Sequence, residues 1–370
     1  MSAALHPARI TAALAERQAT GREGTREGLA WLAEAGLTGP ATLGAMMEGG
    51  GARLFALLVA VGRGDLAAGR LFEGHVDALG LLRRLGTPAQ QARAGAMVAE
   101  GGLLGIWGAD DPTAPARIEA APGDYALSGR KTYASGADSL AAALVAAKDE
   151  AGATRLVLLP RDALAGRFDP EWWDPIGMAE TRSDALDLSG LRVPAEAVVG
   201  APGAYEGHPA FGAGAIRFVA VQLGGLLGVW DAMRSHLAQA GRTEDPHQAM
   251  RLAKALAETE AAYALTRATF GRLAPIISWR GGAADEASLR TADAARLGVR
   301  RASERVMDLA IRSVGCGGLM RRHPLSRRVS DLMVYLCQPA PDAAATRLGQ
   351  AAGTGSYTPL FDAEPGRDED

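Results

Sequence analysis

Residues 172–200 read WWDPIGMAETRSDALDLSGLRVPAEAVVG, and the fold turns on how this stretch is parsed. Pro175 and Gly177 punctuate a turn. An alternating strand follows. Val193–Pro194 then leaves the sheet, because proline cannot donate to a strand ladder. Turn, alternating strand and exit in this order read as the closing edge of a small β unit.

Upstream the same grammar begins at Leu103. LLGIWGA, YALSGRKTYAS, AAALVAA and TRLVLLP are short apolar or alternating runs bounded by Gly, Pro and Asp. Before them, residues 8–100 carry helical spacing; in RLFEGHVDALGLLRRL, Leu71, Val76, Leu79 and Leu82 fall on one face. Downstream the helical period returns from Ile216. Leu252, Leu256, Tyr263, Thr266, Phe270 and Leu273 line one face of a long helix, and residues 287–314 form another. With helices over 216–240 and 324–337 these predict a four-helix bundle, whose core or subunit interface can hold a cofactor. The fold class expected is α+β and multidomain: an N-terminal helical domain (1–102), a middle β-barrel domain (103–202), a C-terminal helical bundle (203–352) and a polar, acidic, disordered tail (353–370).

Composition narrows the function classes. The 370 residues are 48% hydrophobic, which is ample for a core, and the net charge of −3 offers no basic field to nucleic acid or anionic lipid. Cys316 and Cys337 make neither a disulfide framework nor zinc spacing, so no metal site is expected. The first 30 residues contain no apolar signal core, and a cytoplasmic location is the expectation. No P-loop, GxSxG, HExxH or strand-to-helix GxGxxG occurs.

Four motifs, taken with the order of the segments over residues 8–350, resemble the acyl-CoA dehydrogenase superfamily of flavoproteins. LSGRKTYASGA is similar to the family strand LxGxKxWIT(N/S)GA, with Tyr133 at the aromatic and Ser135 at the hydroxyl position. The flavin needs an apolar or π wall and a donor near N5; an ordinary edge strand would read the same way. The opening stretch resembles GxRxTxSxxxxFxxVxVPxxxxLG, with Gly177, Met178, Thr181 and Ser183 in step. IRSVGCGGLMRRHPLSRRVSDL resembles QxxGGxGxxxxxPxxRxxRD, in which Gly315 and Gly318 match, Arg312 replaces glutamine, Cys316 a glycine and Ser330 an arginine. LGIWGADDPTAP stands where the family has TEPxxGSD, leaving Trp107 either a flavin wall or barrel core. Arg242 and Gln248 lie where the family binds FAD phosphate across a dimer, although a solvated arginine accounts equally for Arg242. The resemblance implies FAD, an acyl-CoA or similar small substrate, an electron-transfer flavoprotein or oxygen as acceptor, and a homodimer or homotetramer.

It also implies a catalytic glutamate in one of two positions, and this chain has neither. They are occupied by Pro339 and by Ile216, the latter next to Arg217. Proline would remove an N–H donor to the substrate carbonyl as well as the base. Asp342 is the candidate replacement, with an N-cap role for the helix DAAATRLG as the competing account. Three functions stand open: α,β-dehydrogenation of an acyl thioester, oxygen activation by a flavin monooxygenase, and flavin binding without catalysis. Glu73 and His75 form the nearest charged pair on an N-terminal helix, and residues 203–218, with Glu206 and His208, read as a substrate-side loop.

Overall fold

The structure is a computed structural model and describes residues 6–207, 209–278, 286–338 and 340–362. The helices Pro7–Gln18 (α1), Arg22–Glu34 (α2), Pro40–Glu48 (α3), Ala52–Gly64 (α4), Leu66–Leu85 (α5) and Pro88–Ala99 (α6) come first. Their ends are set by local chemistry. Asp65 caps α5, accepting from the N–H groups of Ala67 and Ala68 at 2.9 and 3.2 Å and from the Thr25 hydroxyl at 2.7 Å. Thr87 and Gln90 form a reciprocal capping box, with Pro88 in the first helical turn.

The strands Leu103–Trp107 (β1), Arg117–Ala121 (β2), Asp124–Ser128 (β3), Arg130–Ala134 (β4), Leu140–Lys148 (β5), Thr154–Pro160 (β6), Phe168–Asp169 (β7), Asp184–Asp187 (β8), Leu191–Pro194 (β9) and Val198–Val199 (β10) follow. One sheet runs β10-β6-β5-β2-β3-β9, with β1 parallel to β5, and a smaller one runs β4-β8-β7. β5 is buried along most of its length, as its AAALVAA run requires. Lys131 is buried, yet all three ammonium protons have acceptors: Gly108 O at 2.8 Å, Asp110 Oδ1 at 2.6 Å and Ala146 O at 2.9 Å.

The last part is helical: Pro209–Ala213 (α7), Ala215–Gln239 (α8), Pro246–Ile277 (α9), Glu286–Val314 (α10), Pro324–Leu336 (α11) and Pro341–Thr354 (α12). The stretch expected as a loop over 203–218 is instead mostly helix from Pro209 onward, and His208 lies outside the described residues. The final helix runs to Thr354, and residues 363–370 of the expected tail also lie outside them. α8 packs against α4, α9, α10 and α11. The helix Phe211–Gln239 is long and apolar enough to cross a membrane, but 78% of its most apolar window is buried inside this fold. Gly62 and Gly224 bring α4 and α8 backbone to backbone: a β-carbon on either would overlap a carbonyl of the other helix, at Val221 and Val59 respectively.

His75 joins the helices to the sheet. Its Nε2–H donates to Thr38 O at 2.8 Å, while Nδ1 accepts from the Leu104 N–H at 3.0 Å, which fixes a neutral tautomer. The ring is fully buried, and this burial pushes its pKa down to about 4. Unfolding therefore takes up a proton between pH 6.5 and 4, and stability falls as the pH drops through that window. We expect His75→Gln, which keeps one donor and one acceptor, to lose this slope in urea titrations at pH 7 and pH 4.5. The wild-type loss attributable to His75 should reach up to about 3 kcal/mol. Equal slopes in the two proteins would remove His75 as its source.

Candidate active site

The Gly177–Ser183 turn is docked on α11. A β-carbon at Gly177 would overlap the Ser330 carbonyl, so only glycine permits this approach. Next to it Met178 sits in left-handed backbone (φ 60°) and donates its N–H to Asp331 Oδ1 at 2.6 Å. Arg327 bridges Asp331 at 3.4 Å and Glu180 at 3.2 Å, and donates to Gln18 O at 3.1 Å. Burial lifts the Asp331 carboxyl to about 6 even though the Met178 N–H and Arg327 oppose the rise.

Behind the turn three hydroxyls form a directed chain. Thr181 Oγ1 donates to Met178 O at 2.8 Å, which commits its proton. Ser183 must then donate to Thr181 at 2.8 Å, and Ser135 to Ser183 at 2.9 Å. The Ser135 carbonyl accepts from Trp107 Nε1 at 2.9 Å. Trp107 is 3% exposed and edge-on to Phe168. A register shift between Lys131 and Ala134 throws Tyr133 out of the ladder with φ 54° and leaves it 47% exposed. Trp172 and Trp173 stand edge-on to its ring at 4.9 and 6.0 Å, and Trp173 Nε1 donates to Met178 O at 3.1 Å. Tyr133, Ser135 and Thr181 are thus brought together. Ser183 was in step with the family motif without being singled out, and Trp172 and Trp173 gave no sign beyond being aromatic.

Arg242, Gln248 and Arg312 form a second group, at the α8–α9 turn and the end of α10. Gln248 is 3% exposed. With its amide nitrogen toward Ser313 Oγ (3.0 Å), its oxygen accepts from Arg242 at 3.1 Å and Arg251 at 3.2 Å. Arg251 also donates to Arg312 O at 3.1 Å, and Arg312 pairs with Asp308 at 3.5 Å. Gly315 (φ 80°) and buried Gly318 shape the short 3-10 turn Cys316–Leu319 that follows.

No protein-family model matches the sequence, and no curated protein does. Solved structures match over nearly the whole chain. The dibenzothiophene monooxygenase of Paenibacillus sp. A11-2, solved with FMN and indole, is 18% identical with a TM-score of 0.81, over 96% of this chain and 98% of that one. The methanesulfinate monooxygenase of Pseudomonas fluorescens is 18% identical at 0.77, over 97% and 100%. The butyryl-CoA dehydrogenase of Megasphaera elsdenii is 18% identical at 0.75, over 88% and 89%. The chain has the acyl-CoA dehydrogenase fold.

Within that fold the two expected positions for a base carry none. Ile216 is fully buried on α8, and Pro339 lies outside the described residues. Asp342 is exposed in the first turn of α12, and it is not the N-cap: Ala340, in left-handed backbone (φ 43°), holds that place. Just after α11, Gln338 O accepts from Arg296 at 2.8 Å, and the Arg296 guanidinium lies 5.3 Å over the Phe218 ring. Arg217 pairs with Asp77 of α5. One turn earlier on α5, Glu73 takes Arg70 at 2.6 Å and the Tyr335 hydroxyl at 3.4 Å, both on Oε1. The fold therefore separates the sequence pair: His75 is a structural pin, and Glu73 joins a buried ionic group. Tyr335 had no sequence signal of its own, since an aromatic at helical spacing reads as core.

The Asp331 contact is open to a direct test. The folded chain keeps a carboxyl proton up to about pH 6 that the unfolded chain loses near 3.8, so ionisation at this site costs stability as the pH rises across that interval. Asp331→Asn retains an acceptor for the Met178 N–H. Its stability relative to wild type should rise by up to about 3 kcal/mol between pH 4 and pH 7, read by denaturant melts. A difference independent of pH would show that burial does not govern this carboxyl.

Proposed function

We propose that this chain is a flavin-dependent oxidoreductase that acts on a small molecule with reduced flavin and oxygen, in the manner of a monooxygenase. The observation carrying this reading is the missing base. Ile216 is buried and apolar, and Asp342 faces solvent at the start of α12. Removing an α-proton from an acyl thioester needs a carboxylate held against the substrate, and neither Ile216 nor Pro339 supplies one. Two of the monooxygenases named above share the fold at higher TM-scores than the butyryl-CoA dehydrogenase.

A flavin fits the residues present. The half-exposed Tyr133 ring, lifted by its bulge and backed by two tryptophans, is an aromatic wall with one side uncovered. Tyr133, Ser135 and Thr181 would border the ring system. Arg242, Arg312 and buried Gln248 would hold phosphate, FMN or the pyrophosphate of FAD, in a homodimer or homotetramer that shares the site. Bound, the flavin carries two electrons and, when reduced, passes them to oxygen. The chain's own share is to bind and orient the flavin, exclude water from the ring and manage protons. We assign residues 1–102, 103–202 and 203–352 as the three domains that enclose it.

The test uses the full chain with reduced FMN or FAD, isotopically heavy oxygen and indole as the probe. We expect heavy oxygen in an indole product by mass spectrometry, and no bleaching of oxidised flavin in an anaerobic titration with butyryl-CoA. Bleaching by butyryl-CoA without oxygen transfer would reverse the assignment in favour of dehydrogenation.

A further inference from the structure

We propose that Glu73 is the proton donor of this site, standing in for the carboxylate that the α8 and α11–α12 positions lack. The proposal rests on the monooxygenase reading above. Glu73 lies on α5 where it packs against α8 and α11, and Tyr335 is one turn along α11 from the Asp331 that holds the Met178 turn. Arg70 and Tyr335 both bond Oε1, and neither engages Oε2, while the side chain keeps 7% exposure. The carboxyl is thus anchored by one oxygen and leaves the other to carry a proton. Gln222 of α8 fixes the position of Tyr335 by donating to its carbonyl at 2.9 Å.

Inserting one oxygen atom into a substrate with dioxygen and a two-electron donor consumes two protons and releases water. Dioxygen supplies the inserted atom and the water oxygen, and reduced flavin would supply the two electrons and one of the two protons. The other proton leaves Oε2 of neutral Glu73 for the oxygen that departs as water, and the O–H electron pair remains on the carboxylate. Solvent then reprotonates Oε2.

The charged and titratable groups facing Glu73 are Arg70 and Asp77 on α5, Arg217 on α8, Tyr335 on α11, and Tyr205 from the segment after β10. Burial raises the carboxyl to about 7; Asp77 adds to the rise, and Arg70, Arg217 and the Tyr335 hydroxyl oppose it. Both protonation states are then populated at neutral pH, as a donor that must be recharged each cycle requires.

Two measurements on the full chain test this. Infrared difference spectra between pH 5 and pH 9 should show a protonated carboxyl band that titrates near neutrality and is missing from Glu73→Gln. Turnover with reduced FMN, oxygen and indole should fall as the pH rises through the same range. At pH 6, Glu73→Gln should cost about 100-fold or more in kcat, and Glu73→Asp should recover part of the loss. Should Glu73→Gln fail to fold, Tyr335→Phe serves instead: loss of its hydrogen bond should move both the band and the activity limb to higher pH. A band or an activity limb unmoved by these variants overturns the proposal alone. Absence of indole turnover in the wild type overturns the functional reading, and the proposal with it.

Discussion

One carboxylate joins the two halves of the candidate site. Asp331, 2% exposed on α11, accepts the N–H of Met178, and that N–H is within reach only because Gly177 has no side chain to strike the Ser330 carbonyl. The hydroxyl chain ends on Met178 O, Trp173 donates to the same carbonyl, and Tyr133 leans on Trp173. Move this turn by an ångström and every one of those contacts is altered. A charge is costly to bury, so the raised Asp331 carboxyl records what this junction costs the folded chain.

The fold was legible because its signals are local. Period-two runs bounded by Gly and Pro marked the strands, and apolar residues at helical spacing marked α5 and α9. The docking turn was legible too, since Gly177, Met178, Thr181 and Ser183 are contiguous. Other features depend on contacts between distant segments, which spacing cannot disclose. The Trp107 indole N–H on Ser135 O, 28 residues away, is such a contact. Asp342 could be read as a base or a cap, and it is an exposed first-turn residue behind a left-handed alanine. Glu73 and His75 stand two apart in sequence and point to different chemistry, because two residues along a helix is more than half a turn.

Polar burial along α5 is the unusual energetic feature of the chain. Arg70, Glu73 and Asp77 repeat at helical spacing on a helix otherwise packed with leucine and alanine, and they meet Arg217 and Tyr335 from two other helices. An apolar replacement of equal volume would often be as stable, so stability alone gives little reason to keep such a group.

The glycine contact between α4 and α8 has a mechanical consequence. Backbones this close leave no side-chain layer to shear, so the two helices must move as one body. Since α4 is joined to α5 through the single residue Asp65, and Asp65 caps α5 while the Thr25 hydroxyl holds its other oxygen, these two helices have no hinge there. A sliding of α4 along α8 is therefore closed to this fold.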